Sequence, residues 1–178
     1  LQSTASVHDL LAAAKKHKMP AVGITDMGNM MGAFHFVKAL TAHNKAAQKK
    51  NDELLEAGEE PTETIIKPIV GAELNVCQDH TNKSQKDNGY QIVFLAKNKR
   101  GYHNLAKMAS LAYTDGFYYV PRIDREIVER YKEDIIVLTG NLYGEVPSKV
   151  LNVGEKQAEE ALLWWKETFG EDLYIEVM

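Results

Sequence analysis

The sequence has little cysteine, no long apolar run and no strong excess of either charge. The single cysteine, Cys77, excludes a disulfide framework and a Cys-x-x-Cys zinc knuckle, and it fits a reducing, cytoplasmic location. No apolar stretch approaches the ~20 residues that cross a bilayer, and the first residues do not resemble a signal peptide, so we expect no membrane partner. The formal net charge is −4, which argues against binding nucleic acid through bulk charge.

The chain also lacks an initiator methionine, and it stops at Met178 inside a strand-like segment. We therefore expect a piece of a longer protein. Its 178 residues, of which 44% are hydrophobic, can form one domain with a substantial core.

Short apolar runs alternate along the chain with segments of helical periodicity. The runs predict five strands, at residues 21–24, 65–76, 90–96, 134–140 and 173–177. The segment from Met30 to about Leu55 has a helical pattern, and residues 42–64 are so mixed in charge that we predict a helical, charged insertion. This alternation predicts βα units, with mainly parallel strands and helices outside.

Two carboxylates stand out because they adjoin or interrupt apolar strands. Asp26 follows the first run, and acidic side chains at the carboxyl ends of buried strands are often functional. The alternative is that Asp26 only caps a turn. Glu73 lies inside an apolar strand, where a buried carboxylate needs a cation or a hydrogen-bond donor. The alternative for Glu73 is an edge position that faces water.

Aromatic side chains mark two further places. Phe117, Tyr118 and Tyr119 could stack on nucleobases, but packing in the core is the interpretation we prefer. Trp164 falls outside the apolar stripe of its predicted helix, so it fills a groove between helices or marks a docking surface.

Four segments, in this order and spacing, resemble the PHP (polymerase and histidinol phosphatase) domain. They are GITDMGNM at 23–30, KPIVGAE at 67–73, LAKN with GYHNL at 95–105, and VLTG at 137–140. The resemblance is strongest to the form found at the N-terminus of bacterial DNA polymerase III alpha subunits, and it runs from about residue 5 to the end.

The resemblance implies that residues 1–178 are a single PHP domain truncated at both ends, a fragment of a distorted (βα)7 barrel. Active members of the family hold three metal ions (Zn, Mn or Mg) at the ends of the strands and hydrolyse phosphoesters with them. In polymerases the domain is a 3′–5′ exonuclease or a structural platform. The implied partners are the remainder of the alpha subunit, replisome subunits and, through the parent protein, DNA. The parent polymerase itself would use Mg.

Most of the ligand positions that the resemblance transfers to this chain are changed. Glu73 is kept, but Met27 replaces the histidine of a Thr-Asp-His motif, beside Asp26. Gln91 stands where a histidine is expected, and Asn141 where a cysteine or histidine is expected. A thioether is a poor ligand for such ions. We therefore expect Glu73 and Asp26 to be remnant metal positions, with no catalytic residue and no bound cofactor.

Three functions remain open from the sequence. The first is a structural or interaction module of the polymerase, in which Glu73 and Asp26 are hydrogen-bonded or neutralised by Lys or Arg. The second is a metal-dependent 3′–5′ exonuclease or phosphoesterase with a modified cluster. The third is a stand-alone small-molecule phosphatase, against which the polymerase-like LAKN and GYHNL segments argue.

Overall fold

The computed structural model describes residues 5–177, and these form two compact units. The first comprises residues 5–24 and 31–69, and the second comprises 25–30 and 70–177. Predictions that concern the first four residues or Met178 lie outside the described range. Among the residues described, no helix is both long and apolar enough to cross a membrane.

Six helices and six strands are formed within the described range. The helices are α1 (Val7–Lys16), α2 (Ala33–Glu56), α3 (Lys99–Thr114), α4 (Arg125–Tyr131), α5 (Glu145–Asn152) and α6 (Glu155–Phe169). The strands are β1 (Ala21–Met27), β2 (Lys67–Cys77), β3 (Tyr90–Ala96), β4 (Arg122–Asp124), β5 (Ile135–Leu138) and β6 (Leu173–Tyr174).

The first unit is built around the long helix α2, against which α1 packs. Helix α1 begins with a capping box: the backbone N–H of Asp9 donates to Ser6 Oγ at 3.1 Å, and the N–H of Ser6 donates to Asp9 Oδ2 at 3.1 Å. Both bonds are local, so the pattern of a serine followed three residues later by an acidic residue is enough to mark this helix start.

The polar face of α2 holds the chain that follows it. Asn44 exchanges two hydrogen bonds with the backbone of Ile66, at 2.8 and 2.9 Å. Asn51, which is buried, donates to the carbonyl of Glu63 at 2.9 Å and accepts from the N–H groups of Thr62 and Glu63 at 3.1 and 2.9 Å. The side-chain amides of Asn44 and Asn51 thus bond to backbone N–H and C=O groups, as the backbone of a neighbouring strand would. They fix residues 62–66 against the helix.

Replacing Asn51 by alanine is expected to lower the free energy of unfolding by about 2 kcal/mol, because three backbone groups of residues 62–63 lose their partner. Cleavage by a protease within residues 58–64 should become faster in the same variant. Gln48→Ala is the matched control, since the side-chain hydrogen bond that Gln48 forms within the described residues goes to the exposed Asp52 one turn away on the same helix. Equal effects of the two substitutions would contradict this account of the segment.

The sheet of the second unit is mixed, with the order β1-β2-β3-β5-β6 and with β4 beside β2. β2–β3 and β3–β5 are antiparallel, whereas β2–β4 and β5–β6 are parallel. Two of these four pairs are parallel, so the sheet is mixed and less parallel than the sequence predicted. The physical reason is that no helix lies between β2 and β3, so β3 returns beside β2 as the second strand of a long hairpin.

One face of this sheet carries the core of the second unit. Its fully buried members include Ala72 and Leu74 from β2, Ile92 and Phe94 from β3, and Leu105 and Met108 from α3, with Trp165 of α6 stacked on Phe169 at 5.9 Å. Because side chains alternate along a strand, residues 73, 75 and 91 point to the opposite face. This alternation places the half-buried polar residues of β2 and β3 together.

The structure shows where the aromatic side chains that the sequence marked lie, and one of the two predictions about them was wrong. Phe117 and Tyr119 are 49% and 65% exposed, so they do not pack in the core as we preferred. Trp164 does pack between elements. Its ring lies 4.7 Å from that of Trp165, and the guanidinium of Arg125 lies 4.2 Å from it.

Candidate functional site

Two of the changed ligand positions lie in contact at one edge of the sheet. Gln91 is near the start of β3, where it pairs in register with Asn75 of β2, two residues beyond Glu73. Asn141 follows β5, and its Nδ2 donates to Gln91 Oε1 at 3.5 Å. This bond is long, so it is weak, but it shows that the two side chains lie next to each other.

Glu176, which the sequence analysis did not select, belongs to the same site. Its backbone N–H donates to Thr139 Oγ1 at 3.0 Å, and the N–H of Thr139 donates to the carbonyl of Tyr174 at 3.1 Å. These bonds hold the residues after β6 against the end of β5. The signal was present in the sequence, since Glu176 is a carboxylate within an apolar strand-like run, as Glu73 is.

Two carboxylate oxygens at this site are buried and unsatisfied. Within the described part of the chain, Glu73 Oε1 and Glu176 Oε2 have no hydrogen-bond partner. Burial, and then the negative charge of Glu176, raise the pKa of Glu73 above its ordinary value. The expectation of a hydrogen-bonded or Lys/Arg-neutralised group was therefore wrong for this oxygen of Glu73.

Asp26 and Met27 are the last residues of β1, and a tight turn follows them. The N–H of Gly28 donates to the carbonyl of Glu73 at 2.7 Å, which ties the chain just after Asp26 and Met27 to β2. Gly28 has a φ of +70°, and a Cβ there would lie 3.2 Å from Pro121 Cγ. Glycine is required at this turn for both reasons.

The side chains gathered here do not fit a cluster of three metal ions. Carboxamides stand at positions 91 and 141 and a thioether at 27, and none of these is a strong ligand for Zn or Mn. The carboxylates of Glu73 and Glu176 are negative, but the site lacks the imidazoles that such a cluster draws on. We therefore derive no chemical step through a metal.

A second group of potential ligands includes two residues of the segment after β2. One ligand atom from each of Asp79, His80 and Asp124 lies within 4.8 Å of the others. His80 Nδ1 is 2.5 Å from Asp124 Oδ2, and Asp124 Oδ1 accepts from the N–H of Ile127 at 3.1 Å.

These contacts already occupy the carboxylates. Burial opposes ionisation of Asp124, but the hydrogen bonds from His80 and Ile127 outweigh it and lower the pKa of Asp124. Asp79 Oδ1 accepts from the backbone N–H and the hydroxyl of Thr81, at 2.9 and 2.7 Å. We interpret the group as an anchor for the loop and as the cap of α4.

Arg122 fixes the same loop from inside the unit, where it is fully buried. It donates only to backbone carbonyls: to Gly116 at 3.1 Å, Asp87 at 2.8 Å, His80 at 3.2 Å and Asn82 at 3.1 Å. Its guanidinium also lies 5.4 Å from the centre of the Tyr118 ring. One side chain therefore joins β4 to both neighbouring loops.

Glu145, at the start of α5, is the centre of a buried ionic group. Its Oε1 accepts from Arg125 Nη2 at 2.9 Å and from Lys149 Nζ at 2.7 Å, and its Oε2 accepts from Trp165 Nε1 at 2.8 Å. Burial raises its pKa, but the bond from Lys149 and the charge of Arg125 outweigh burial and lower it. Helices α4, α5 and α6 are joined through this carboxylate.

Replacing Glu73 by glutamine is expected to stabilise the protein by about 1 kcal/mol at about pH 8, since a repelled and desolvated charge is removed. The pKa of Glu73 is raised in the folded state, so its ionisation opposes folding as pH rises through that pKa. The gain should therefore vanish in acid, where the carboxyl is protonated in both states. Chemical denaturation across this pH range measures the difference.

Glu167→Gln is the matched control for this prediction. Glu167 is exposed on α6 and forms no ion pair within the described residues, so its neutralisation should leave stability unchanged. A Glu73→Gln variant that is less stable than the original chain in mild alkali would show that the carboxylate has a cationic partner.

The structure thus combines a mixed α/β sheet with a group of polar side chains, Glu73, Gln91 and Asn141, near one end of its strands. The sequence model of the PHP domain matches residues 1–178, and the chain belongs to that family. The family resemblance seen in the sequence is thereby confirmed.

The chain is similar over nearly its whole length to bacterial DNA polymerase III alpha subunits. It is 35% identical, over 99% of its residues, to the subunits of Borreliella burgdorferi and Aquifex aeolicus, and it covers 14% of each. It is 34% identical to that of Deinococcus radiodurans, again over 99% of this chain and 12% of the relative. The chain thus spans only a small part of the length of the relatives it matches.

Proposed function

We propose that this chain is the PHP part of a DNA polymerase III alpha subunit and serves DNA replication as a structural or interaction module. Similarity over 99% of the chain to these subunits supports the parentage. The observation that supports a non-catalytic role is the contact between Gln91 and Asn141, which puts two carboxamides where the family's ligands are expected. Glu73 and Asp26 are then remnant metal positions.

The proposal also covers the fold of the domain to which this chain belongs. Residues 1–178 would be one PHP domain, truncated at both ends, within a distorted (βα)7 barrel, and residues 42–64 would be an insertion. The second face of the sheet supports this, because Glu73, Asn75 and Gln91 are only half-exposed there. A barrel interior would require such a face.

The parent protein would be a cytoplasmic DNA-directed DNA polymerase that uses Mg for nucleotidyl transfer. The PHP module would contact the remainder of the alpha subunit and replisome subunits, and it would meet DNA only through the parent. Its own contribution would be the rigid packing of the second unit, in which Arg122 and Glu145 join the loops and helices.

The test compares the longer protein, with and without Glu73→Gln, on a labelled primer annealed to a template. We expect both forms to extend the primer equally, and neither to release nucleotides from its 3′ end when Mn or Zn is supplied. Release of nucleotides that needs the metal and is lost in the Glu73→Gln variant would overturn the proposal, and it would establish the metal-dependent 3′–5′ exonuclease or phosphoesterase instead.

A further inference from the structure

A cavity of about 730 Å³ lies in the second unit, and neither Glu73 nor Glu176 lines it. It opens between the end of β2, the start of β3 and the first residues of α4 and α5. Three cationic side chains line it, from Lys86, Arg125 and Lys149, together with the ring of Tyr90. Its volume is that of a site for a small molecule.

The two carboxylates that line this cavity neutralise only part of its positive charge. Glu145 is occupied by Arg125, Lys149 and the indole of Trp165. Asp87 accepts from the N–H groups of Gln78 and Gly89, at 3.0 and 2.9 Å, so both of its carboxylate oxygens are hydrogen-bonded to the backbone of the loop. Three positive and two negative charges leave a positive surplus in a chain whose net charge is −4.

The cationic side chains also have N–H donors that can bind a ligand. The guanidinium of Arg125 is held 4.2 Å from the ring of Trp164, and only its Nη2 is used, by Glu145. Its Nε and Nη1 donate to no residue in the described ranges. Lys149 uses one of its three N–H donors, and Lys86 forms no ion pair there, its ammonium lying 5.2 Å from the Tyr119 ring.

We propose that this cavity binds a phosphate-bearing anion of nucleotide size. The guanidinium of Arg125 is held against an aromatic ring and has free N–H donors, which can bind two oxygens of a phosphate at once. The ammonium groups of Lys86 and Lys149 line the same cavity and can neutralise the remaining negative charge of the phosphate. The proposal rests on these contacts and not on the polymerase relatives.

The cavity is a binding site and not a reaction centre. The nucleophile it contains is Cys77, whose pKa is raised by burial to about 11, and whose Sγ donates to the carbonyl of Ile123 at 3.2 Å. A thiol with this pKa stays protonated near neutral pH, so it cannot attack a phosphate ester.

Titration calorimetry of the chain with five probes tests the proposal: inorganic phosphate, deoxyadenosine monophosphate, deoxyadenosine, and a short single-stranded oligonucleotide with and without a 5′ phosphate. We expect saturable binding at one site for phosphate-bearing probes and none for deoxyadenosine. A preference for the monophosphate identifies a free nucleotide as the source, and a preference for the phosphorylated oligonucleotide identifies a strand end.

Three variants connect the binding to the cavity. Lys86→Gln should weaken binding of the preferred probe about tenfold, as expected when one charge-assisted contact is lost. Arg125→Lys keeps the charge but loses the planar fork, so it should weaken binding by a similar factor. Lys107→Gln removes an equal charge from the exposed face of α3 and should have no effect.

The proposal is overturned if no probe binds saturably, if deoxyadenosine binds as well as its monophosphate, or if Lys107→Gln weakens binding as much as Lys86→Gln. The last result would show attraction to bulk charge only. Because Lys86 forms no hydrogen bond or ion pair within the described residues, its substitution tests binding even where Arg125→Lys alters the packing at Trp164.

Discussion

Replacing Arg122 by methionine should lower the free energy of unfolding by about 3 to 5 kcal/mol. The side chain is fully buried, and its guanidinium satisfies four backbone carbonyls, three of which lie 35 to 42 residues away in the sequence. Methionine fills most of the volume but donates no hydrogen bond, so those carbonyls would be left unpaired in a dry environment. Chemical denaturation of both forms at neutral pH measures the loss.

Two further variants separate the geometry of Arg122 from its charge. Arg122→Lys keeps the charge but cannot reach the same set of carbonyls, so it should lose most of the same stability. Arg130→Met removes an exposed arginine that pairs with Glu126 one turn away, and it should change stability by less than about 0.5 kcal/mol. If Arg122→Met and Arg130→Met changed the free energy of unfolding equally, the buried arginine would not be what holds the loops.

Replacing Glu145 by glutamine should lower the free energy of unfolding by about 2 to 4 kcal/mol above about pH 6. The substitution keeps the size of the side chain but removes the charge that joins Arg125 and Lys149, both bound to the same oxygen. The two cations, whose side chains are 39% and 22% exposed, would then lie close together around a buried group that no longer neutralises them. Breaking a buried pair on one side is strongly destabilising for this reason.

The pH dependence of this loss has a definite sign. The folded state lowers the pKa of Glu145, so its charge contributes stability that is complete above the ordinary pKa of glutamate. That contribution is lost as pH falls through the lowered pKa of the folded state. The original chain and Glu145→Gln should therefore converge in stability in acid and diverge toward neutral pH.

Glu126→Gln is the control for the Glu145 variant. Glu126 is 73% exposed and pairs only with Arg130 on its own helix, so its neutralisation should be nearly silent at every pH. A loss for Glu145→Gln that stayed constant from acid to neutral pH would show that shape, and not charge, determines its effect.

Local patterns in the sequence were sufficient for much of the fold. The capping box at Ser6 and Asp9 and the strands that include Glu73 and Gln91 were predictable because their causes lie within a few residues. β4 was missed because three residues are too short to show a periodicity. The directions of the strands depend on which elements pair across the sheet, and no local pattern records that.

The site was predictable only where a family resemblance or a local anomaly marked it. Glu73, Gln91 and Asn141 were placed by the resemblance, and the contact between the last two was found only in the structure. Arg122 and Glu145 gave no sequence signal, because the carbonyls and cations that satisfy them come from distant segments. Charged residues of this kind look like surface residues until their partners are known.

The metal content of the longer protein tests the central claim most directly. The protein would be produced with Zn and Mn supplied, purified without chelators, desalted and measured by mass spectrometry of its elements. The altered side chains at positions 27, 91 and 141 predict far less than one ion per chain, and no difference in the Glu73→Gln variant. Stoichiometric Zn or Mn that is lost on Glu73→Gln substitution would contradict the account.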